Sequence, residues 1–171
     1  VHLIYSGLGG ASKMGVELVR NFANSKKVNN VVIFNGVEKL YSDYSAQISK
    51  LGIQFFFIKS QRFYKNIRSI FDYLKKSNPE TIITHEISLL PLFLFKLFRK
   101  VKIISVLHSP FKNSKMILKI ILMLVISNKV VFVTKKKDSL YKVVKFIFSK
   151  VLIIENGIKI SHPINKKLNK K

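Results

Sequence analysis

The chain contains no cysteine. Disulfides and thiolate metal sites are therefore excluded, and the composition fits a reducing compartment such as the cytoplasm. Acidic residues are scarce. Eight Asp and Glu stand against 31 Lys and Arg, a formal net charge of +23. Such a surplus predicts an anionic partner, whether nucleic acid, an anionic membrane surface or a phosphorylated substrate. An AT-rich codon bias would give the same Lys-, Asn-, Ile- and Phe-rich composition with no partner implied. Long apolar runs are missing as well. The longest, Met116 to Ile126, is interrupted by Lys119. As a helix it would reach roughly 17 Å, short of the ~30 Å hydrocarbon core of a bilayer. No basic leader precedes the first apolar run, which stops at Ser6, so no signal peptide is expected. There is no internal repeat, and the one low-complexity piece is the Lys/Asn-rich end from Asn165.

What remains is a chain of 171 residues, 48% of them hydrophobic, enough for one domain with a substantial core. Its organising stretch is the first two dozen residues. Val1, Leu3, Ile4 and Tyr5 read as a buried strand. Ser6-Gly7-Leu8-Gly9-Gly10-Ala11 is a loop with three glycines. Ser12 to Asn24 reads as a helix, with Met14, Leu18, Val19, Phe22 and Ala23 on one face. A strand, a glycine turn and a helix start form an anion cradle, because missing Cβ atoms admit a ligand to the backbone and free N–H groups point at it.

The same unit recurs down the chain. Short apolar runs are expected as strands at Val31–Phe34, Gln54–Ile58, Thr81–Thr84, Lys102–Leu107, Lys129–Val133 and Val151–Ile154. Helices are expected over Ser42–Leu51, Asn66–Ser77, Leu89–Phe98, Lys115–Ser127 and Asp138–Phe148. Gly52 and Asn78-Pro79 punctuate the second and third of the six helices. The strand runs lack polar alternation, as buried parallel strands do. The expectation is a doubly wound, mainly parallel, seven-stranded Rossmann-like α/β sheet over residues 1–158, with a linker or basic tail over 159–171. In such sheets ligands sit at the carboxyl ends of the strands.

That rule selects the candidates. Gly9 and Gly10 would bind the phosphates of a ligand, against the plainer reading of an ordinary turn. His108 follows a fully apolar strand, where a neutral imidazole could hydrogen-bond a ligand at the sheet's carboxyl edge. The plainer reading is a loop cap before Pro110. His85 is the parallel case after the fourth strand, although Glu86 beside it suggests a simple salt bridge. His85, Glu86 and His108 lack metal-ligand spacing, and no metal is expected. His2 and His162 are expected at the surface. The loop is neither a dinucleotide fingerprint, since Ser12 takes the third glycine's place, nor a P-loop, since no Gly-Lys-Ser/Thr follows.

Four segments together resemble the amino-terminal domain of family-4-like glycosyltransferases of the GT-B fold. Leu8-Gly9-Gly10-Ala11-Ser12-Lys13 resembles their glycine loop. Val106-Leu107-His108-Ser109 resembles their strand-end histidine. Val131-Phe132-Val133-Thr134 resembles a later strand, and Ile153-Ile154-Glu155-Asn156-Gly157-Ile158 their domain-closing segment. Lys13, Glu155 and Lys159 depart from the residues common there. The resemblance implies one half of a two-domain enzyme that moves a sugar from a nucleotide-sugar donor to a glycan or lipid-linked acceptor at the cytoplasmic membrane face. It implies no cofactor besides the nucleotide sugar. It assigns catalysis to His108, donor phosphate contact to Gly9 and Gly10, and acceptor contact to Ser12, Lys13, His85 and Ser109. It also implies a donor-binding C-terminal domain, in cis or as a second chain, without which this chain is inactive. No Glu-x7-Glu pair of that half occurs here. The lysine runs and the two most apolar helices suggest an anionic membrane surface as a further partner. The competing readings are a basic nucleic-acid-binding module, disfavoured because the phenylalanines sit on apolar stripes, and a truncated gene product without activity.

Overall fold

The computed structural model describes residues 1–6, 10–23, 30–36, 38–59, 63–85, 89–108, 114–134 and 144–155. Seven strands form one sheet: β1 (His2–Ser6), β2 (Val31–Gly36), β3 (Gln54–Lys59), β4 (Thr81–His85), β5 (Lys102–Leu107), β6 (Lys129–Thr134) and β7 (Val151–Glu155). Their order is β3-β2-β1-β4-β5-β6-β7, and every pairing is parallel. Five helices make the crossovers: α1 (Gly10–Ala23), α2 (Glu38–Ser49), α3 (Phe63–Ser77), α4 (Leu90–Phe98) and α5 (Ser114–Ile126). Residues 144–147 add a helical turn before β7.

The apolar runs are buried on both faces, as parallel strands under helices must be. Leu3 and Ile4 point to opposite faces of β1, and neither has solvent-accessible surface. On one face α1 and α2 close a core of Ile4, Val16, Val19, Val32, Phe34 and Ile48. On the other, α3, α4 and α5 cover a larger core that includes Leu3, Leu74, Leu92, Phe95, Met123 and Phe132. The domain is thus doubly wound, with its winding reversed between β1 and β4.

The boundaries follow local chemistry. After α2 the chain turns at Gly52, whose φ of +67° suits a residue without Cβ. α2 starts at Glu38 rather than at Ser42, so the helix begins almost directly after the β2 turn. α3 is closed by Asn78 at φ +40°, with its N–H donating to the Leu74 carbonyl, and Pro79 follows. Asparagine is one of the few residues that tolerates this conformation, so the stop is made before the proline acts. Of the helix expected over Asp138–Phe148, residues 144–147 are helical and the others lie outside the described residues or, at 148, outside the helix. The tail over 159–171 lies outside the described residues as well. Among the described residues no helix is long and apolar enough to cross a membrane.

Candidate functional site

Because every strand is parallel, all carboxyl ends share one edge. The winding reverses between β1 and β4, and sheets of this kind bind ligands at the carboxyl edge beside such a reversal. β1 delivers the chain to the amino end of α1 there, and β4 delivers His85. Register carries this sideways: Ile4 pairs with His85, and His85 pairs with Val106. His108, two residues beyond Val106, therefore extends past the strand ends on the same sheet face as His85. The amino end of α1 and His108 thus lie on a common edge, as the sequence predicts.

His85 and His108 meet. Nδ1 of His85 lies 3.2 Å from Nε2 of His108, and the rings stack with centroids 5.6 Å apart at 19°. His85 is 1% exposed. Burial, reinforced by the charges His108 and His2 would carry, lowers its pKa from 6.5 to about 3. It is a neutral ring at physiological pH. Its Nε2 is buried without a hydrogen-bond partner. A buried N–H without an acceptor is rarer than an unused lone pair. The favoured tautomer therefore carries the proton on Nδ1 and donates it to Nε2 of His108. His108, accepting at Nε2, then holds its own proton at Nδ1 while neutral. The pair fixes both the orientation and the tautomer of the more accessible ring.

The packing beneath this pair depends on Gly15. A Cβ at this position would lie 3.1 Å from Ile4 side-chain atoms and 3.3 Å from Cγ of His85. Glycine lets α1 approach β1 and β4 closely enough to bury His85. At the start of the helix, Ser12 is buried and its Oγ donates to the Tyr5 carbonyl, tying α1 to the end of β1. Gly10 is different: a Cβ there would meet nothing within 4 Å. The chain's own packing does not require a glycine at that position. Lys13 projects into solvent from the first turn. Gly9 and Ser109 lie outside the described residues.

His2 is not at the surface. It is 2% exposed, with Nε2 3.2 Å from Oδ1 of Asn30 and its ring against Phe22. Donation from Nε2 leaves Nδ1 as a bare, buried lone pair. Desolvation lowers the His2 pKa to about 4. His162 lies outside the described residues. Sequence reasoning missed Gly15 and the His2–Asn30 pair. A glycine inside an otherwise good helix was the available signal for the first. Nothing local announced the second, because its partner is 28 residues away.

A sizeable cavity lies elsewhere. About 640 Å³ opens at the amino edge of the sheet, lined among others by Glu80, Lys96, Arg99, Lys100 and Lys102. It contains neither histidines nor a glycine loop, and its openness to solvent makes it a cleft between surface lysines. The paired histidines lie at the other edge.

No protein-family model matches the chain, and no curated protein does. Among solved structures, the fold is similar to a glycosyltransferase from Rickettsia africae ESF-5. The two chains are 16% identical, with a TM-score of 0.64 over 92% of this chain and 42% of that one. A second similar structure is a protein of Escherichia coli str. K-12 provisionally assigned as an oxidoreductase. It is 9% identical with a TM-score of 0.52, over 95% of this chain and 98% of that one. At such identities the likeness is one of fold. The chain spans less than half the length of the glycosyltransferase it matches.

Proposed function

We propose that this chain is the acceptor-side half of a family-4-like GT-B glycosyltransferase, which moves a sugar from a nucleotide donor to a glycan or lipid-linked acceptor. The observation that carries the reading is His108, held at the carboxyl end of β5 by the buried ring of His85. A neutral imidazole fixed in one tautomer can hold an acceptor hydroxyl in line with a sugar carbon, without metal or cofactor. Gly9 and Gly10, at the amino end of α1, would face the donor phosphates. Ser12, Lys13, His85 and Ser109 would border the acceptor. The similarity to the longer Rickettsia africae glycosyltransferase supports a second, donor-binding half, supplied in cis or by another chain.

The test compares sugar transfer by this chain alone with transfer by this chain joined to the polypeptide encoded beside it. Turnover is expected only in the joined form. There, His108→Ala should lower kcat by roughly 10²-fold or more while leaving the donor KM unchanged. Robust turnover by the chain alone would overturn the division into halves. An unchanged kcat in the variant would overturn the role of His108. The oxidoreductase likeness offers a second reading, but the glycine loop departs from a dinucleotide fingerprint at Ser12.

A further inference from the structure

The layer of helices over β4, β5 and β6 has a surface that the site at the carboxyl edge does not use. α5 buries Ile120, Met123, Leu124 and Ile126 against the sheet, as a crossover helix should. Its outer side is apolar too. Leu118 is 61% exposed and Val125 67%, and Ile117, Ile121 and Leu122 are exposed as well. α4 lies beside it, and Nζ of Lys96 on α4 donates to the carbonyl of Ile126 at the end of α5. α4 also turns apolar side chains outward: Leu90, Phe93 and Leu97 at i, i+3 and i+7, then Phe98, which is 72% exposed. A further groove of about 310 Å³ runs between α5 and the turn before β7, bounded by Ile121, Val125, Val144 and Phe148. Soluble monomers rarely leave so continuous an apolar surface uncovered.

Charge indicates what covers it. No Asp or Glu stands between Glu86 and Asp138, the stretch that holds both helices. Among the described residues, the exposed charges near the apolar stripes include Arg99 and Lys100 after α4, Lys102 and Lys129 at strand starts, and Lys145 beside the groove. A second copy of this chain would bring a +23 body against another across that face. An anionic bilayer supplies both hydrocarbon for the stripes and negative charge for the rim. α5 has 13 residues, or about 20 Å, so it can lie along a membrane and cannot span one.

We propose that the outer face of α4 and α5 docks this protein on anionic phospholipid, with both helices in the interface plane and Arg99, Lys100 and Lys129 at the headgroups. The inference is independent of the sugar-transfer reading. It would stand if His108 proved to have another role.

The experiment is co-sedimentation of the 171-residue chain with vesicles of phosphatidylcholine alone or mixed with phosphatidylglycerol. The chain has no tryptophan, so a single introduced one reports depth without background. Phe98→Trp on α4 should shift its emission to the blue on anionic vesicles, whereas Gln47→Trp on the exposed side of α2 should not. The combined variant Leu97→Gln, Leu118→Gln, Val125→Gln should keep the wild-type circular dichroism spectrum and lose roughly tenfold or more in vesicle partitioning. Arg99→Gln with Lys100→Gln should lose affinity on anionic vesicles only, and raised salt should mimic it. Equal binding of the triple variant and the wild type would overturn the proposal. So would a blue shift at position 47 in place of 98. A discrete dimer in solution, dissolved by the triple variant, would overturn it in favour of self-association. If the triple variant misfolds, the paired tryptophan reporters in the otherwise native chain still decide the question.

Discussion

The two helix layers cover the same sheet in opposite ways. α1 is amphipathic in the ordinary sense. Its inner side carries Val16, Val19 and Gly15, and its outer side carries Lys13, Arg20 and Asn21. From Ile117 to Ile126 α5 carries apolar side chains on its inner and outer sides alike, with Lys119 the one break. A helix so apolar on both sides is normally a fully buried one, yet the described residues cover this one on a single side. The layer with the ordinary surface holds the polar interior, where His2, His85 and Gly15 sit beneath the α1 face. The layer with the unusual surface has the plainer and larger core. One layer carries its unusual chemistry inside and the other carries it outside, and the predictions below measure that asymmetry.

The largest effect should come from the core under α4 and α5. Phe95→Ala removes a ring that is almost wholly buried and stands edge-on to Phe71. It should cost about 3–5 kcal/mol of stability in chemical denaturation. Leu118→Ala on the outer side of the same layer should cost close to nothing. If the two costs were alike, the outer side of α5 would be packed against something, and the contrast between the layers would fail.

Acid should act on the other layer. His2 and His85 have folded pKa values lowered to about 4 and about 3, whereas an unfolded histidine takes up its proton near 6.5. Below pH 6.5 the unfolded chain therefore binds more protons than the folded one, and stability falls as pH falls. Each ring should contribute up to about 1.4 kcal/mol of loss per pH unit in that window. Above pH 7 neither ring contributes. Denaturation midpoints from pH 7.5 to 5 would show the slope, and His85→Asn should flatten it. A slope unchanged in that variant would mean that the buried ring is not the titrating group.

How much of this was legible in the sequence depends on how local the cause is. Unbroken apolar runs such as Val31–Phe34 and Val151–Ile154 identified parallel strands, because burial on both faces removes polar alternation. The strand-end positions of His85 and His108 followed from the same runs. Their mutual hydrogen bond did not, since it depends on which strands are neighbours. Asn30 reaching back to His2 is likewise a property of the assembled sheet. The outer face of α5 was ambiguous for a different reason. Its composition suits a core helix and an interfacial helix equally, and what separates the two is that no described residue covers the outer side.

The two glycines of α1 give the next test. Gly15→Leu should destabilise the fold by about 2 kcal/mol through overpacking against Ile4 and His85, and should shift the imidazole resonances of His85. Gly10→Ala has open space for its methyl group and should leave stability unchanged or raise it by a few tenths of a kcal/mol. If the amino end of α1 receives phosphate oxygens, that silent substitution is the one that should weaken nucleotide-sugar binding. Weakened binding at unchanged stability would separate a glycine kept for a ligand from one kept for packing.

The smallest effect in energy is the most specific in chemistry. His108 should be a single tautomer, with its proton on Nδ1, because His85 donates to its Nε2. Long-range nitrogen–proton correlation spectra of the 171-residue chain, labelled at histidine, read this directly. His85→Asn, which can still donate an N–H to His108 from its amide, should keep the Nδ1–H form. His85→Leu should release it to the mixture of a free histidine side chain, with Nε2–H predominating. A His108 already in the Nε2–H form in the native chain would reverse the direction of the bond. It would then place the proton, rather than the lone pair, against His85, and leave Nδ1 as a base instead of a donor. That single assignment decides whether the ring at the edge of the sheet can take a proton from an acceptor hydroxyl or can only hold it.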